Sequence, residues 1–141
     1  MITITNTHKH RRVPKQRIIA LTKMILKKES PRNLEQFHFV FLDNVTMRRF
    51  NKKFLNHDYP TDTITFDLSA NRRASLEGEC YISLDQAVMQ AKEYGVTYTN
   101  EVLRLCAHCV LHLLGYHDDT DQQRSRMIRR GDHYLTLLEK Q

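Results

Sequence analysis

AHCVLHLLGYHDD, Ala107 to Asp119, is the stretch on which the reading of this chain turns. His108 and His112 stand four residues apart, so on a helix they project from one face, one turn from each other. The residues before them, EVLRL, continue the same helical spacing, and the pattern predicts a helix from about Tyr98 to Leu114. Gly115 then lets the chain leave the helix sharply, because glycine adopts the left-handed backbone of a helix end. His117, Asp118 and Asp119 follow at once. Two imidazoles at this spacing can share one cation, and catalytic zinc sites usually hold three protein ligands and one open position. Two such histidines alone are more often buried and hydrogen-bonded. The turn and the His/Asp cluster favour a metal site instead, with the third donor open among the residues after Gly115.

The same stretch argues against two other chemistries. Cys109 follows the first histidine where a zinc peptidase of the HExxH type has its glutamate, so that general base is missing. Cys106 and Cys109 form CAHC, but a redox C-x-x-C needs an exposed, low-pKa thiol at a helix N-terminus. Here the pair lies inside the helix, and Cys106 is about 160° around the axis from His108. Both are expected to pack as small hydrophobes.

The chain has 141 residues, 40% of them hydrophobic and 27% charged, as expected for one soluble domain over 1–141. Its start, MITITNTHKHRR, lacks the apolar core of a secretory signal. No apolar run approaches the roughly 20 residues that span a bilayer. Three cysteines without an export signal suggest reduced thiols and a cytoplasmic setting, with no membrane partner. Charge is uneven. Residues 1–32 carry nine Lys or Arg against one acid, a net +8, while the other 109 residues sum to −2. That asymmetry suits a phosphate backbone as partner, although a lysine-rich wet helix face would look the same.

Elsewhere the spacing alternates between strand and helix. ITITN (2–6), QFHFVFLD (36–43), TITFDL (63–68) and ECYISL (79–84) read as strands. Helices are predicted from Pro14 to the break at SPRN (30–33), over 43–56, from Asp85 to Tyr94 with Gly95 as stop, and through DDTDQQRSRMIRRGDHYLTLLEK at the end. HDYPTD (57–62) is expected to turn, and SANRRASLEG (69–78) to be the least structured loop. The pattern predicts an α+β domain with one small sheet packed by helices.

HCVLHLLGYHD resembles the HGxLHLxGYDH signature of the YbeY family, bacterial endoribonucleases of ribosomal RNA maturation. FNKKFLNHDYPTDTITFDL is similar to the family's segment before its central strand, and GECYISLDQA to its Gly-Asp-Ile-x-Ile-Ser strand. The likeness covers about residues 47 to 118. It implies a small mixed four-stranded sheet with about five helices, and a metal site formed by a helix and the turn after it. His108 and His112 match the first two metal histidines. The third ligand lies ten positions after the first, which is Asp118, because the family's GYDH is inverted here to GYHD; His117 is the alternative. Members often carry an arginine shortly before the Asp-x-Pro-Thr turn, and Leu55 holds that place. Glu79 stands where the family has aspartate, and Cys109 where it has glycine.

The resemblance implies one zinc ion and a metal-dependent, single-strand-specific endoribonuclease. Its expected partners are ribosomal RNA precursors, with the 16S rRNA 3′ end as substrate, and the small ribosomal subunit. Arg48, Arg49, Lys52, Lys53 and Arg104 are candidates to supply the positive charge that Leu55 does not. The competing expectation is a non-catalytic ribosome-assembly factor whose metal site is structural.

Overall fold

A computed structural model describes residues 1–30, 33–59 and 61–141. Among them the order is β1 (Ile2–Asn6), α1 (Lys15–Glu29), β2 (Asn33–Leu42), α2 (Asn44–Leu55), β3 (Thr63–Asp67), β4 (Ser75–Ser83), α3 (Leu84–Tyr94), α4 (Tyr98–Leu113) and α5 (Asp121–Glu139). The four strands form one mixed sheet in the order β1-β2-β4-β3. β1, β2 and β4 run parallel, and β3 pairs antiparallel with β4 as an edge.

Alternation along the strands assigns the two faces. Phe37, Phe39 and Phe41 of β2, with Leu76, Cys80 and Ile82 of β4, point into the main core against α1, α4 and α5. Val40, Leu42, Ile64, Phe66 and Tyr81 point the other way, under Met47 and Phe50 of α2. α4 is the central helix. Its residues from Leu105 to Leu111 are all buried, since the sheet lies on one side and α1, α3 and α5 surround the rest. Glu101, wholly buried, survives there because Arg104 and Gln90 bond its carboxylate.

Several boundaries differ from the expected ones. Pro14 caps α1 from outside instead of opening it. β2 begins at Asn33, and β4 begins at Ser75, within the stretch expected to be loop. The reason is mutual pairing: Asn33 and Leu34 lie opposite Ser75 and Leu76, so two polar ends form one ladder. Pro31 and Arg32 of SPRN, and Pro60 of the expected turn 57–62, lie outside the described residues. The cysteines also differ from expectation. Cys80 of β4 and Cys109 of α4 form a disulfide, and only Cys106 is a free thiol, buried. α4 lies directly on β4, and the Cα atoms, 6.2 Å apart, stand within bridging range. A separation of 29 residues hides this in the sequence.

Gly78 sets how closely α4 approaches the sheet. A Cβ there would lie 3.0 Å from Leu113 Cδ1 and 3.1 Å from the carbonyl oxygen of Phe66. Glycine therefore allows the C-terminal turn of α4, which carries His112, to rest on β4 beside the edge strand.

Candidate metal centre at the end of helix α4

α4 ends as its sequence predicts, in a Schellman turn. The N–H of Gly115 donates to the carbonyl of His112 and the N–H of Tyr116 to that of Leu111, both at 3.0 Å. Gly115 takes φ +105°, a backbone conformation that side-chain-bearing residues rarely adopt. This reversal brings the carbonyl oxygen of Tyr116 to 3.1 Å from Nδ1 of His112. A carbonyl only accepts, so Nδ1 carries the proton and Nε2 presents its lone pair. Nε2 faces Oδ2 of Asp118 at 3.4 Å. Two acceptors that face each other at this distance need a second proton on the imidazole or a cation between them.

His112, His117 and Asp118 share one cleft with Leu55, Thr61, Asp62 and the edge strand β3. Asp118 is thus the residue after the turn that meets a histidine. His117 is exposed on the same wall. His108 lies elsewhere. It is 8% exposed, its Nε2 is buried with no hydrogen-bond partner, and its ring packs where a Cβ on Gly131 of α5 would come within 3.2 Å. Burial first, and then the nearby Arg104 charge, push its pKa down to about 3, so the imidazole is neutral and keeps a free lone pair. Among the described residues no three His, Cys, Asp or Glu side chains converge as a metal cage. The chemistry of the donors nevertheless suits zinc: two neutral imidazoles and a carboxylate, one nitrogen of them orphaned in the interior. His108 joins the pair only if its ring leaves Gly131.

The loop is held from outside by its tyrosine. The phenol of Tyr116 donates to Glu29 of α1 at 2.7 Å, and Glu29 also accepts from Tyr134 and from Arg130, the latter at 2.8 Å. Burial raises the pKa of Glu29, but these bonds and the Arg130 charge outweigh it, and the net shift is downward. Sequence reading did not single out Glu29. It also missed Arg72, which reaches from the 68–74 loop to bond the carbonyl of Leu113 at 2.9 Å and pairs with Asp67. Both depend on contacts across 41 residues or more.

The candidate cations fall into two groups. Arg49, Lys52 and Lys53 are exposed on α2, and Arg48 there pairs with Asp58 at 2.8 Å. Arg104 is only 15% exposed and is committed to Glu101, with its guanidinium over the Tyr94 ring. Leu55, 45% exposed, does line the cleft beside His112 and Asp118, at the position where an arginine was expected.

The comparisons with known proteins agree with this architecture. A protein of Chlorobaculum tepidum named Endoribonuclease YbeY is 46% identical over 99 residues, covering 70% of this chain and 71% of the relative. Proteins of the same name from Chlorobium chlorochromatii and Chlorobium phaeovibrioides are 38% and 36% identical, over 92% and 97% of this chain and 81% and 90% of theirs. The solution structure of TM1509 from Thermotoga maritima superposes with a TM-score of 0.66, at 24% identity, over 98% of this chain and 89% of that one, a likeness of fold. The sequence profile of the family described as Endoribonuclease YbeY matches residues 3–139. With the cleft at the end of α4 and relatives that align along nearly the whole chain, the protein belongs to the YbeY family of endoribonucleases.

Proposed function

We propose that this protein is a metal-dependent endoribonuclease that cuts single-stranded RNA during ribosomal RNA maturation, at the 3′ end of 16S rRNA, on or near the small ribosomal subunit. The observation that carries the metal is the His112–Asp118 pair. Its two acceptor atoms face each other across 3.4 Å, with the His112 proton committed to Tyr116. His108, His112 and Asp118 would hold the ion, zinc by the chemistry of the set, with a fourth position open to the cleft. When bound, such an ion supplies Lewis acidity towards a phosphoryl oxygen. Leu55 contributes no charge, and Asp62, Asp67 and Asp118 make the cleft itself acidic. The exposed cations of α2 and the basic residues of 1–32 would hold the RNA backbone from outside it.

The setting is the cytoplasm, where ribosomal precursors are processed. Among the described residues no helix is long and apolar enough to cross a membrane. Lasting disulfides are uncommon in that compartment, but both sulfurs of the Cys80–Cys109 bond belong to wholly buried residues, out of reach of soluble thiols.

The test is cleavage of a labelled single-stranded RNA by the purified protein with zinc added, beside His112→Ala made in the same way. Cleavage by the first and not the second is expected. Equal cleavage by both would point to a contaminating nuclease and end the metal mechanism.

A further inference from the structure

Among the described residues no Lys or Arg lines the metal cleft, and three of its side chains are acidic, of which Asp67 is paired with Arg72. A polyanion that enters such a cleft must be held by cations placed beside it. The structure has such a place, on the other side of the loop that carries Tyr116. A hollow there is lined by Glu29, Tyr116, Arg126, Arg129, Arg130 and His133. Between it and the cleft lies a smaller hollow along Leu114, Gly115 and Gln123. Tyr116 borders all three, His117 borders the cleft and the smaller hollow, and Arg126 borders the smaller hollow and the one on α5. These shared residues link the three in a series from His112 and Asp118, past the loop, to α5.

Arg126, Arg129, Arg130 and His133 follow the i, i+3, i+4, i+7 spacing of a single helix face, and span about 10 Å of axis. The inward face of α5, adjoining this one, with Met127, Gly131, Tyr134 and Leu138, is buried. Among the described residues Glu29 is the one acid lining the hollow, and Arg130 pairs with it at 2.7 Å. Arg126 lies over the Tyr116 ring with its guanidinium carbon 5.3 Å from the centroid, and Arg129 has no carboxylate partner among the described residues. Two uncompensated guanidiniums therefore remain at the end of the series, one of them steadied against the same loop that orients His112.

We infer that this face of α5 is a phosphate-binding subsite for the RNA strand whose scissile bond lies at the metal cleft. Arg126 and Arg129 grip the backbone beyond the loop 114–117. The inference rests on the endoribonuclease reading for its ligand, and on the linked hollows and their charge for its place. Contacts of this kind fix a strand's path and carry no sequence preference.

The experiment is equilibrium binding of a fluorescein-labelled single-stranded 12-mer RNA to the full chain, with EDTA present so that nothing is cut, over a range of salt. The Arg126→Gln/Arg129→Gln variant is expected to bind about twentyfold more weakly at 0.1 M salt, with the slope of log K against log salt reduced by about 1.4, for two lost single-strand phosphate contacts. Arg126→Lys/Arg129→Lys should recover the slope. Lys92→Glu, which lowers the net charge by the same two units at an exposed position of α3, should bind like the wild type. Equal loss in the Lys92 variant would reduce the effect to net charge and overturn the subsite. So would an unchanged slope in the arginine variant, or a wild-type protein that does not bind the RNA. Matching thermal melts of all variants show that the fold is kept. Because no cleavage is involved, RNA held through Arg126 and Arg129 by a protein that never cuts would leave the subsite standing and sink the endoribonuclease reading. Cleavage with unaltered binding in the arginine variant would do the reverse.

Discussion

The carbonyl oxygen of Tyr116 lies 3.1 Å from Nδ1 of His112, so the loop that supplies Asp118 also fixes the tautomer of the histidine facing it. Metal-bound imidazoles typically donate their second N–H to such a carbonyl. This geometry supports Asp118 as the proposed third ligand, because its carboxylate meets the free nitrogen of His112. Asp118→Ala should weaken zinc binding by more than about 100-fold, beyond the 10–100-fold typical of a lost outer-shell partner. His117→Ala should leave it unchanged. Competition with a chromogenic chelator measures both, and the opposite order would move the ligand to His117.

Glu29 gives the fold an acid-sensitive fastening. Its pKa is lowered in the folded chain from an ordinary value of 4.5, because the bonds from Tyr134, Tyr116 and Arg130 overcome the opposing effect of burial. A depressed carboxylate contributes stability that is present above its unfolded pKa and is lost as pH falls through the folded one. Glu29→Gln should therefore cost about 1–3 kcal/mol at pH 7. In urea melts, the gap between wild type and variant should shrink below about pH 4.5. A gap that widened in acid would contradict the sign.

Leu55 borders a cleft lined, among the described residues, by Asp62, Asp67 and Asp118 and by no Lys or Arg. Leu55→Arg places a guanidinium there, on a side chain already 45% exposed, so stability should change by no more than about 0.5 kcal/mol. Removing one preorganised donor from a transition state typically costs 100- to 1,000-fold, and adding one that is not preorganised should return less, about tenfold in cleavage rate. Leu55→Gln is the control for size and polarity. If both variants cleave alike, the missing charge is not what limits this site.

The Glu101–Arg104 pair is a structural ion pair in the interior, and its two partners should behave accordingly. Glu101→Ala strands a mostly buried guanidinium and should cost about 3–5 kcal/mol. Glu101→Gln/Arg104→Met, which removes both charges, should be far less harmful than either single change, as measured by chemical denaturation. The double variant should also bind RNA as the wild type does. A loss of affinity on its part would bring Arg104 back among the RNA-facing cations.

Local signals carried much of the fold. Thr63 to Asp67 and Ile2 to Asn6 alternate cleanly, and the caps Asp43, Ser83 and Thr97 mark helix starts with their own side chains. The Schellman turn at Gly115 was legible for the same reason, because glycine spacing is a local property. What escaped depends on encounters across the chain. Ser75 to Gly78 look like loop until β2 pairs with them. Cys109 looks like packing until Cys80 lies beneath it. The arginines of α5 look like an ordinary wet face until the loop at Tyr116 joins them to the cleft. The position of His108, turned onto Gly131, could not be read from its spacing to His112, because the neighbouring helix decides it.

The fastening at Glu29 also gives the molecule an order of assembly. Its partners Arg130 and Tyr134 lie 101 and 105 residues further along the chain, on the helix that follows all the others. Until α5 docks, the loop bearing Tyr116, His117 and Asp118 is tied to α1 through the Tyr116–Glu29 bond without the clamp that Arg130 and Tyr134 add to it. A folding chain at that stage holds its donors on a loosely secured turn. Only when α5 docks on α1 do both the clamp and the arginine face come into place, so the parts that would hold RNA and steady the metal loop mature together, late, and never on a truncated chain.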